Sequence, residues 1–161
     1  MSAELNVSLT KNMLVHGTTV ALGPTAVLLR GASGSGKSDL ALRFLADEGR
    51  WPSATEPRTL IADDQTLLSL YGGHLFASAP AQIAGKLEVR GVGILNLPTI
   101  GQARLRLIVD LVDKSEVERL PEEDATIDLM GHTVTHRKLA ATEPSAPLKL
   151  ALFLHAICGR I

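Results

Sequence analysis

The sequence predicts a single α/β domain, with a mixed β-sheet and flanking helices. A short apolar run at 27–29 leads through a glycine-rich segment into residues with helical spacing, which is the order of a strand, a loop and a helix. Glycine turns at 72–73 and at Gly131 separate pairs of strand-like runs, as in β-hairpins. The chain has 161 residues, of which 45% are hydrophobic. That length supplies one core and would be cramped for two, so residues 1–161 are predicted to form one domain.

Composition and charge give no support to several classes of partner. Sixteen basic and seventeen acidic residues leave a net charge of −1, so bulk charge does not indicate binding to nucleic acid or to a membrane surface. The aromatic content of 3% argues against base stacking on single strands. No apolar run approaches the length of a membrane span, and no secretory signal is visible. The single cysteine, Cys158, excludes an intramolecular disulfide and is interpreted as a small buried residue. We therefore expect a cytoplasmic protein.

The predicted elements follow one another with short connections. Alternating apolar residues predict the strands, and apolar residues at helical spacing predict the helices. Residues 1–12 are expected to be a flexible N-terminus. The segments after it are one or two strands in 13–22, the strand at 27–29, a helix at 38–47, a polar loop at 51–57, a strand at 59–64, a hairpin of 67–71 and 74–78, a connection at 79–84, strand-like residues at 86–97, a strand at 105–112, a helical turn or loop at 114–120, a hairpin of 126–130 and 132–136, and an apolar helix at 148–158.

The segment between the first buried strand and its helix fits the pattern G-x-x-x-x-G-K-[ST] in the context that this pattern requires. Its glycines let backbone N–H groups approach phosphate oxygens, and the helix presents its positive end to the same anion. Lys37 can reach the terminal phosphates, and the Ser38 hydroxyl can ligate Mg²⁺. The alternative is a glycine-rich turn that carries Lys-Ser by chance. The predicted nucleotide-binding residues are Gly31, Ala32, Ser33, Gly34, Ser35, Gly36, Lys37 and Ser38.

Two acids, Asp63 and Asp64, end the strand-like run that follows this helix. Ligands of open α/β sheets bind at the carboxyl edge, so a group that holds Mg²⁺ or orients the nucleophile is expected there. A pair of acids allows one to work near the metal and the other near the nucleophile. The alternative is a simple Asp-Asp turn.

Further along the chain, Glu88 and Arg90 interrupt an apolar run, and Gly91 and Gly93 lie beside them. In a plain strand both charged side chains would share one solvated face. The competing interpretation is a site where the backbone approaches a ligand. His16, just before a glycine, is by itself most simply a surface or hydrogen-bonded residue.

A second pair of histidines, His132 and His136, could share one face of a strand. No third metal ligand is evident for them, so a zinc site is not expected.

Three motifs in this order resemble the catalytic domain of HPr kinase/phosphorylase, which acts on a serine of the phosphocarrier protein HPr. They are His16-Gly17 before the phosphate loop, Ala62-Asp-Asp64 after it, and the run Leu-Glu-Val-Arg-Gly-Val-Gly-Ile-Leu-Asn at 87–96. The last motif is the most specific. The similarity extends from about residue 16 to about residue 149. It implies a nucleotide-binding domain resembling the fold shared by phosphoenolpyruvate carboxykinase and the C-terminal domain of HPr kinase.

The resemblance also implies roles for individual residues. It implies ATP and Mg²⁺ as cofactors and HPr as the protein partner, in regulation of the phosphotransferase system. Family members assemble into oligomers, and for this chain the sequence leaves a homo-oligomer and a monomer both open. The matching residues are His16 as the catalytic histidine, Lys37 as the loop lysine, Ser38 and Glu88 as Mg²⁺ ligands, Asp64 as the general base with Asp63 beside it, Arg119 in dephosphorylation, and Arg90 in a segment used in both directions.

The chain departs from the family pattern in three places. No additional N-terminal domain fits before residue 12, so we expect a short form made of the catalytic domain alone. Residues 147–153 keep Lys149 but lack the Gly-Arg-Asn of the family, so the resemblance supports the kinase direction further than the phosphorylase direction. The loop at 50–58 is longer than in the family.

Two other functions compete with this interpretation. A small-molecule kinase built on a phosphate loop would explain residues 31–38 and Asp63, but not 88–93. A nucleotide-binding regulatory protein without catalysis needs only the loop, and would leave His16, Asp64 and Glu88 without a purpose. Measuring phosphate transfer separates all three functions.

Overall fold

The computed structural model describes residues 11–47 and 56–159, which form eleven strands and two α-helices. The strands are β1 (Lys11–His16), β2 (Thr18–Leu22), β3 (Thr25–Arg30), β4 (Arg58–Ala62), β5 (Gln65–Tyr71), β6 (His74–Ser78), β7 (Lys86–Val89), β8 (Gly93–Asn96), β9 (Ala103–Leu111), β10 (Thr126–Leu129) and β11 (His132–Leu139). The helices are α1 (Lys37–Ala46) and α2 (Ala146–Ile157), and short 3₁₀ turns lie at Ala81–Ile83 and Lys114–Glu116. Both predicted glycine-turn hairpins, β5–β6 and β10–β11, are confirmed.

Nine of the strands form one mixed sheet, and β7 and β8 form a separate two-stranded sheet. The main path runs β1-β5-β6-β9-β3-β2-β4, with β11 also paired to β9 and β10 paired to β11. The pairs β3–β9 and β9–β11 are parallel, whereas the other strand pairs are antiparallel. The three parallel strands end at the same edge of the sheet. That edge carries the loops that follow β3, β9 and β11.

Side chains of β3 alternate between two hydrophobic clusters on opposite faces of the sheet. Val27 and Leu29 join α1 and α2 in one cluster, and Ala26 and Leu28 join residues of β5 and β6 in the other. This alternation is what a strand covered on both faces requires. Both helices therefore flank the same face of the sheet, and the β5–β6 hairpin covers the other.

The boundary predicted for the flexible N-terminus is wrong for Lys11 and Asn12. Both residues belong to β1 and pair with Leu70 and Ser69 of β5. The first strand therefore starts two residues earlier than predicted. The rest of that segment, 1–10, lies outside the described residues, as does most of the predicted polar loop at 51–57.

Two further differences concern single segments. The strand-like residues 86–97 form a hairpin, because the chain turns between Val89 and Gly93. Cys158 is half-buried, whereas the sequence predicted a buried residue. Its Sγ atom lies 3.5 Å from Thr25 Oγ1. Of the described helices, none is long and apolar enough to span a membrane.

A charged cluster ties the three parallel strands together near their carboxyl ends. Arg30 of β3 donates to both carboxylate oxygens of Asp110 on β9, at 2.8 and 2.9 Å. His136 Nε2 on β11 lies 2.8 Å from the same carboxylate. Burial alone would raise the pKa of Asp110, but the hydrogen bonds from Arg30 and His136 outweigh it and hold the pKa below its usual value.

We expect the Asp110→Asn variant to lose about 1.5–3 kcal/mol of unfolding free energy at neutral pH, because charge-assisted hydrogen bonds are lost. The pKa of Asp110 is lower in the folded than in the unfolded protein, so its stabilisation is complete above the unfolded value of about 3.9 and disappears as pH falls through the folded value. Urea unfolding should therefore show a difference in unfolding free energy between the unchanged protein and Asp110→Asn, and this difference should become smaller as the pH is lowered. The exposed Asp124→Asn variant serves as control, and a pH-independent difference would contradict the expectation.

Candidate active site

The phosphate loop joins β3 to α1 at the carboxyl edge of the sheet. Gly36 precedes α1 with φ 95°, in the left-handed region that favours glycine. A Cβ atom at this position would lie 3.0 Å from the Ala141 Cβ atom. No side chain caps the N-terminus of α1, so its first N–H groups face the loop without a side-chain acceptor. This geometry suits an anion.

Lys37 is the first residue of α1, and its side chain crosses the loop. It is 7% exposed, and its Nζ donates to the carbonyl oxygens of Gly31 at 2.9 Å and Ala32 at 3.0 Å. The ammonium group is thereby fixed inside the loop, where it can meet a phosphate that the backbone amides hold.

Asp63 connects three elements through its buried carboxylate. It accepts hydrogen bonds from Ser38 Oγ at 2.7 Å, Thr18 Oγ1 at 3.0 Å and the backbone N–H of Glu88 at 3.1 Å. Because Ser38 lies in the first turn of α1 and Glu88 lies on β7, this one side chain links the phosphate loop to the β7–β8 hairpin.

Asp64 follows directly but faces solvent. Its φ is 64°, an unusual value for a residue other than glycine, which Asp tolerates better than most. Its N–H donates to Thr18 Oγ1 at 3.2 Å, and its carbonyl oxygen accepts from the Gly17 N–H at 2.8 Å. The carboxylate is two-thirds exposed and lies 3.4 Å from His16 Nδ1. The turn therefore buries one acid and presents its neighbour to solvent.

These groups surround a cavity of about 440 Å³. The phosphate loop and the first turns of α1 form one side, the acid pair forms another, and Glu88, Val89 and Arg90 close it from the hairpin. Five predicted loop residues line the cavity directly: Ser33, Gly34, Gly36, Lys37 and Ser38. The other three, Gly31, Ala32 and Ser35, lie in the same loop but do not line the cavity.

The oxygen donors at this cavity suit Mg²⁺ better than softer metals. Ser38 contributes a hydroxyl, and Asp63 and Glu88 contribute carboxylates. Within the described residues, no group of three or more His, Cys, Asp and Glu side chains is arranged to hold a metal ion by itself. A hydroxyl and two carboxylates are typical of sites where Mg²⁺ binds through one or two carboxylates together with substrate phosphates.

A comparison with protein-family models finds a match over most of the chain. The model described as the HPr Serine kinase C-terminal domain matches residues 7–146. The chain belongs to this family. The matched range contains the phosphate loop, the acid pair and the β7–β8 hairpin, and the resemblance predicted from the motifs is confirmed.

Curated relatives support the same assignment. The HPr kinase/phosphorylase of Bordetella petrii is 34% identical over 141 residues, which is 81% of this chain and 43% of that protein. The HPr kinase/phosphorylase of Mycoplasmopsis pulmonis is 33% identical over 121 residues, which is 68% of this chain and 36% of that protein. The chain thus spans less than half the length of these relatives.

A solved structure confirms the predicted fold. The Hpr(Ser) kinase/phosphatase from Coxiella burnetii matches with a TM-score of 0.74 and 21% sequence identity, over 89% of each chain. This likeness shows that the mixed sheet and helices have the arrangement of an HPr kinase domain.

Arg119 is the predicted site residue that lies apart from the others. It lies in the loop after β9, where it lines a second cavity that shares no lining residue with the first. Arg90, in contrast, lines the first cavity from the turn of the β7–β8 hairpin. Among the residues matched to HPr kinase roles, the structure therefore brings His16, Lys37 and the acid pair into one region and separates Arg119 from it.

Thr18 is a site residue that sequence reasoning missed. It is fully buried on β2, donates to Asp63 and accepts from the Asp64 N–H. Its hydroxyl thus contacts both members of the acid pair. The available signal was a polar Thr18-Thr19 pair at the start of an otherwise apolar strand, directly after His16 and Gly17.

Proposed function

We propose that this chain is an ATP- and Mg²⁺-dependent protein-serine kinase that phosphorylates HPr or a closely similar phosphocarrier protein. The observation that carries the proposal is the division between the two acids. Asp63 is buried against Ser38, and Asp64 is exposed beside His16 at the mouth of the same cavity. That division supports one acid on the metal side and another on the nucleophile side of a phosphoryl transfer.

The phosphate loop would hold the nucleotide before transfer. Its backbone N–H groups and the Lys37 ammonium bind the phosphate oxygens, and the uncapped end of α1 favours the same negative charge. Ser38 and Glu88 would hold Mg²⁺, which would supply neutralisation of charge on the phosphates. Asp63 keeps the Ser38 hydroxyl in place through its 2.7 Å hydrogen bond.

Asp64 would act as the general base. Its carboxylate accepts the proton of the attacking serine hydroxyl, while the serine oxygen forms a bond to the γ-phosphorus and ADP leaves with the electrons of the broken bond. His16, 3.4 Å away, orients the carboxylate towards the cavity. The exposure of both side chains allows a protein substrate to bring its serine to them.

The proposal is limited to the kinase direction. Phosphorolysis would need inorganic phosphate to attack phosphoserine and release pyrophosphate, with an arginine to stabilise the anions. Arg119, which the family resemblance links to that reaction, lines the second cavity, and residues 147–153 lack Gly-Arg-Asn. Action in the cytoplasm, in an assembly of several copies and within phosphotransferase-system regulation, belongs to the same proposal.

Incubation of the purified protein with Mg-ATP and HPr tests the proposal, with phosphoserine read by intact mass. We expect transfer by the unchanged protein and none by Lys37→Ala, whereas the exposed Lys11→Ala control retains activity. An HPr variant without the acceptor serine should remain unmodified. Adding excess phosphate and assaying pyrophosphate then tests the reverse reaction. Nucleotide binding without any transfer would overturn the proposal in favour of a regulatory binding protein, and transfer only to small molecules would favour a small-molecule kinase.

A further inference from the structure

The turn that presents Asp64 to solvent has an uncommon backbone conformation. Asp64 has φ 64°, in the left-handed region where a residue other than glycine is strained. The Gln65 N–H donates to the Asp63 carbonyl oxygen at 2.7 Å, so Asp64 is the central residue of a three-residue turn. Such a conformation persists only where surrounding groups hold it. The groups that hold the Asp64 backbone therefore also determine where its carboxylate can reach.

Thr18 is the buried side chain that holds this turn. It is 0% exposed, and its hydroxyl accepts a hydrogen bond from the Asp64 N–H at 3.2 Å and donates to Asp63 Oδ1 at 3.0 Å. A hydroxyl can donate and accept at the same time, so one oxygen atom makes both contacts. The Gly17 N–H donates to the Asp64 carbonyl oxygen at 2.8 Å. The peptide groups on both sides of Asp64 are thus attached to the start of β2, and only its side-chain torsions remain free.

The neighbouring Thr19 is equally buried but makes different contacts. Its hydroxyl lies 2.8 Å from Thr66 Oγ1 on β5, and Thr66 Oγ1 donates to the Gly17 carbonyl oxygen at 3.1 Å. The two threonines are therefore adjacent residues of one strand with the same size and burial, and their hydroxyls bond to different groups. A comparison of the two separates the loss of a buried hydrogen bond from the loss of a contact with the acid pair.

We propose that Thr18 is a positioning residue for phosphoryl transfer, which holds the Asp64 backbone where the carboxylate reaches the serine hydroxyl of the protein substrate. The inference rests on the proposed function, because it takes Asp64 as the general base. A base must lie within about 3 Å of the group whose proton it takes, and a displacement of about 1 Å can lower turnover about 100-fold. Loss of the Thr18 hydroxyl should therefore act on turnover rather than on nucleotide binding.

Three substitutions at Thr18 test the inference through the rate of HPr phosphorylation at saturating Mg-ATP. Thr18→Val keeps the shape of the side chain without its hydroxyl and should lower turnover about 10- to 100-fold. Thr18→Ala, which places no methyl group against the Asp63 carboxylate, should give a similar loss, and Thr18→Ser should restore most of the turnover. The matched control Thr19→Val should retain it. Direct titration should show an almost unchanged nucleotide affinity in all four variants, and circular dichroism shows whether each is folded.

Hydrogen exchange at the Asp64 amide provides a measurement that needs no activity. In Thr18→Val this N–H loses its acceptor, so it should exchange about tenfold faster than in the unchanged protein. Thr18→Ser should keep the slower exchange. Thr19→Val should keep it as well, since a general loss of stability would affect the Thr18 and Thr19 variants alike.

The double variant Thr18→Val/Asp64→Asn tests whether Thr18 acts through Asp64. If it does, the double variant should have the same residual turnover as Asp64→Asn alone. Full turnover in Thr18→Val, an equal loss in Thr19→Val, unchanged exchange at the Asp64 amide, or a further loss in the double variant would each overturn the inference and leave the kinase function standing. Absence of HPr phosphorylation by the unchanged protein would overturn the proposed function, and this inference with it.

Discussion

Replacing Asp64 with Asn is expected to lower the turnover of serine phosphorylation by about 10²–10⁴-fold, because the amide cannot accept the proton of the attacking hydroxyl. Asn tolerates the left-handed backbone at this position, so the turn should persist. Nucleotide affinity should stay unchanged, since the loop amides and Lys37 are untouched. Turnover is measured from the rate of phosphoserine formation at saturating Mg-ATP, and affinity from direct titration with the nucleotide.

The control for this variant is Asp128→Asn, an exposed carboxylate of β10 that does not line the cavity. It should retain full turnover. Unchanged turnover in Asp64→Asn would contradict the assignment of the general base. A loss of nucleotide affinity equal to the loss of turnover would instead indicate that Asp64 supports the loop.

Replacing the neighbouring Asp63 with Ala is expected to destabilise the protein by about 3 kcal/mol, which is a large effect for one polar side chain. The change removes the acceptor for Ser38, Thr18 and the N–H of Glu88, and leaves these donors without their partner. For a domain of this size the midpoint of thermal unfolding should fall by about 6–12 °C. Thermal unfolding followed by circular dichroism checks this.

Asp64→Asn is the matched control for stability, because it alters the adjacent exposed carboxylate. Its unfolding free energy should remain within about 0.5 kcal/mol of the unchanged protein. The two substitutions should therefore have different effects: Asp63→Ala should lower stability, and Asp64→Asn should lower turnover. Equal destabilisation by both substitutions would show that the acid pair acts as one structural unit.

Local signals made much of this fold predictable from sequence. The phosphate loop combines a strand, fixed glycines and a helix within about twenty residues, so a few positions determine its geometry. The hairpins at 72–73 and at Gly131 depend on glycine turns between adjacent runs, which are equally local. The acid pair was predictable because it directly follows a strand beside the loop.

The remaining features depend on contacts between distant residues. Thr18 lies 45 residues from Asp63, and nothing near Thr18 in the sequence identifies that partner. The same holds for the bond between Arg30 and Asp110, which are 80 residues apart. The packing of α1 and α2 on one face of the sheet, opposite the cluster that contains β5 and β6, also depends on contacts between distant residues. The position of Arg119 likewise depends on a long loop, whose course no periodic pattern predicts.

The missing side-chain cap on α1 has a consequence for how this protein holds its shape. Many helices satisfy one of their first N–H groups with a side chain at the N-cap position, but Gly36 has no side chain that could do so. An anion bound at the loop would supply the absent acceptor, so the ligand would complete the hydrogen bonding of the helix as well as occupy the site. Stability gained in this way grows with ligand concentration. The supply of nucleotide would thus influence how much of the protein survives unfolding and proteolysis.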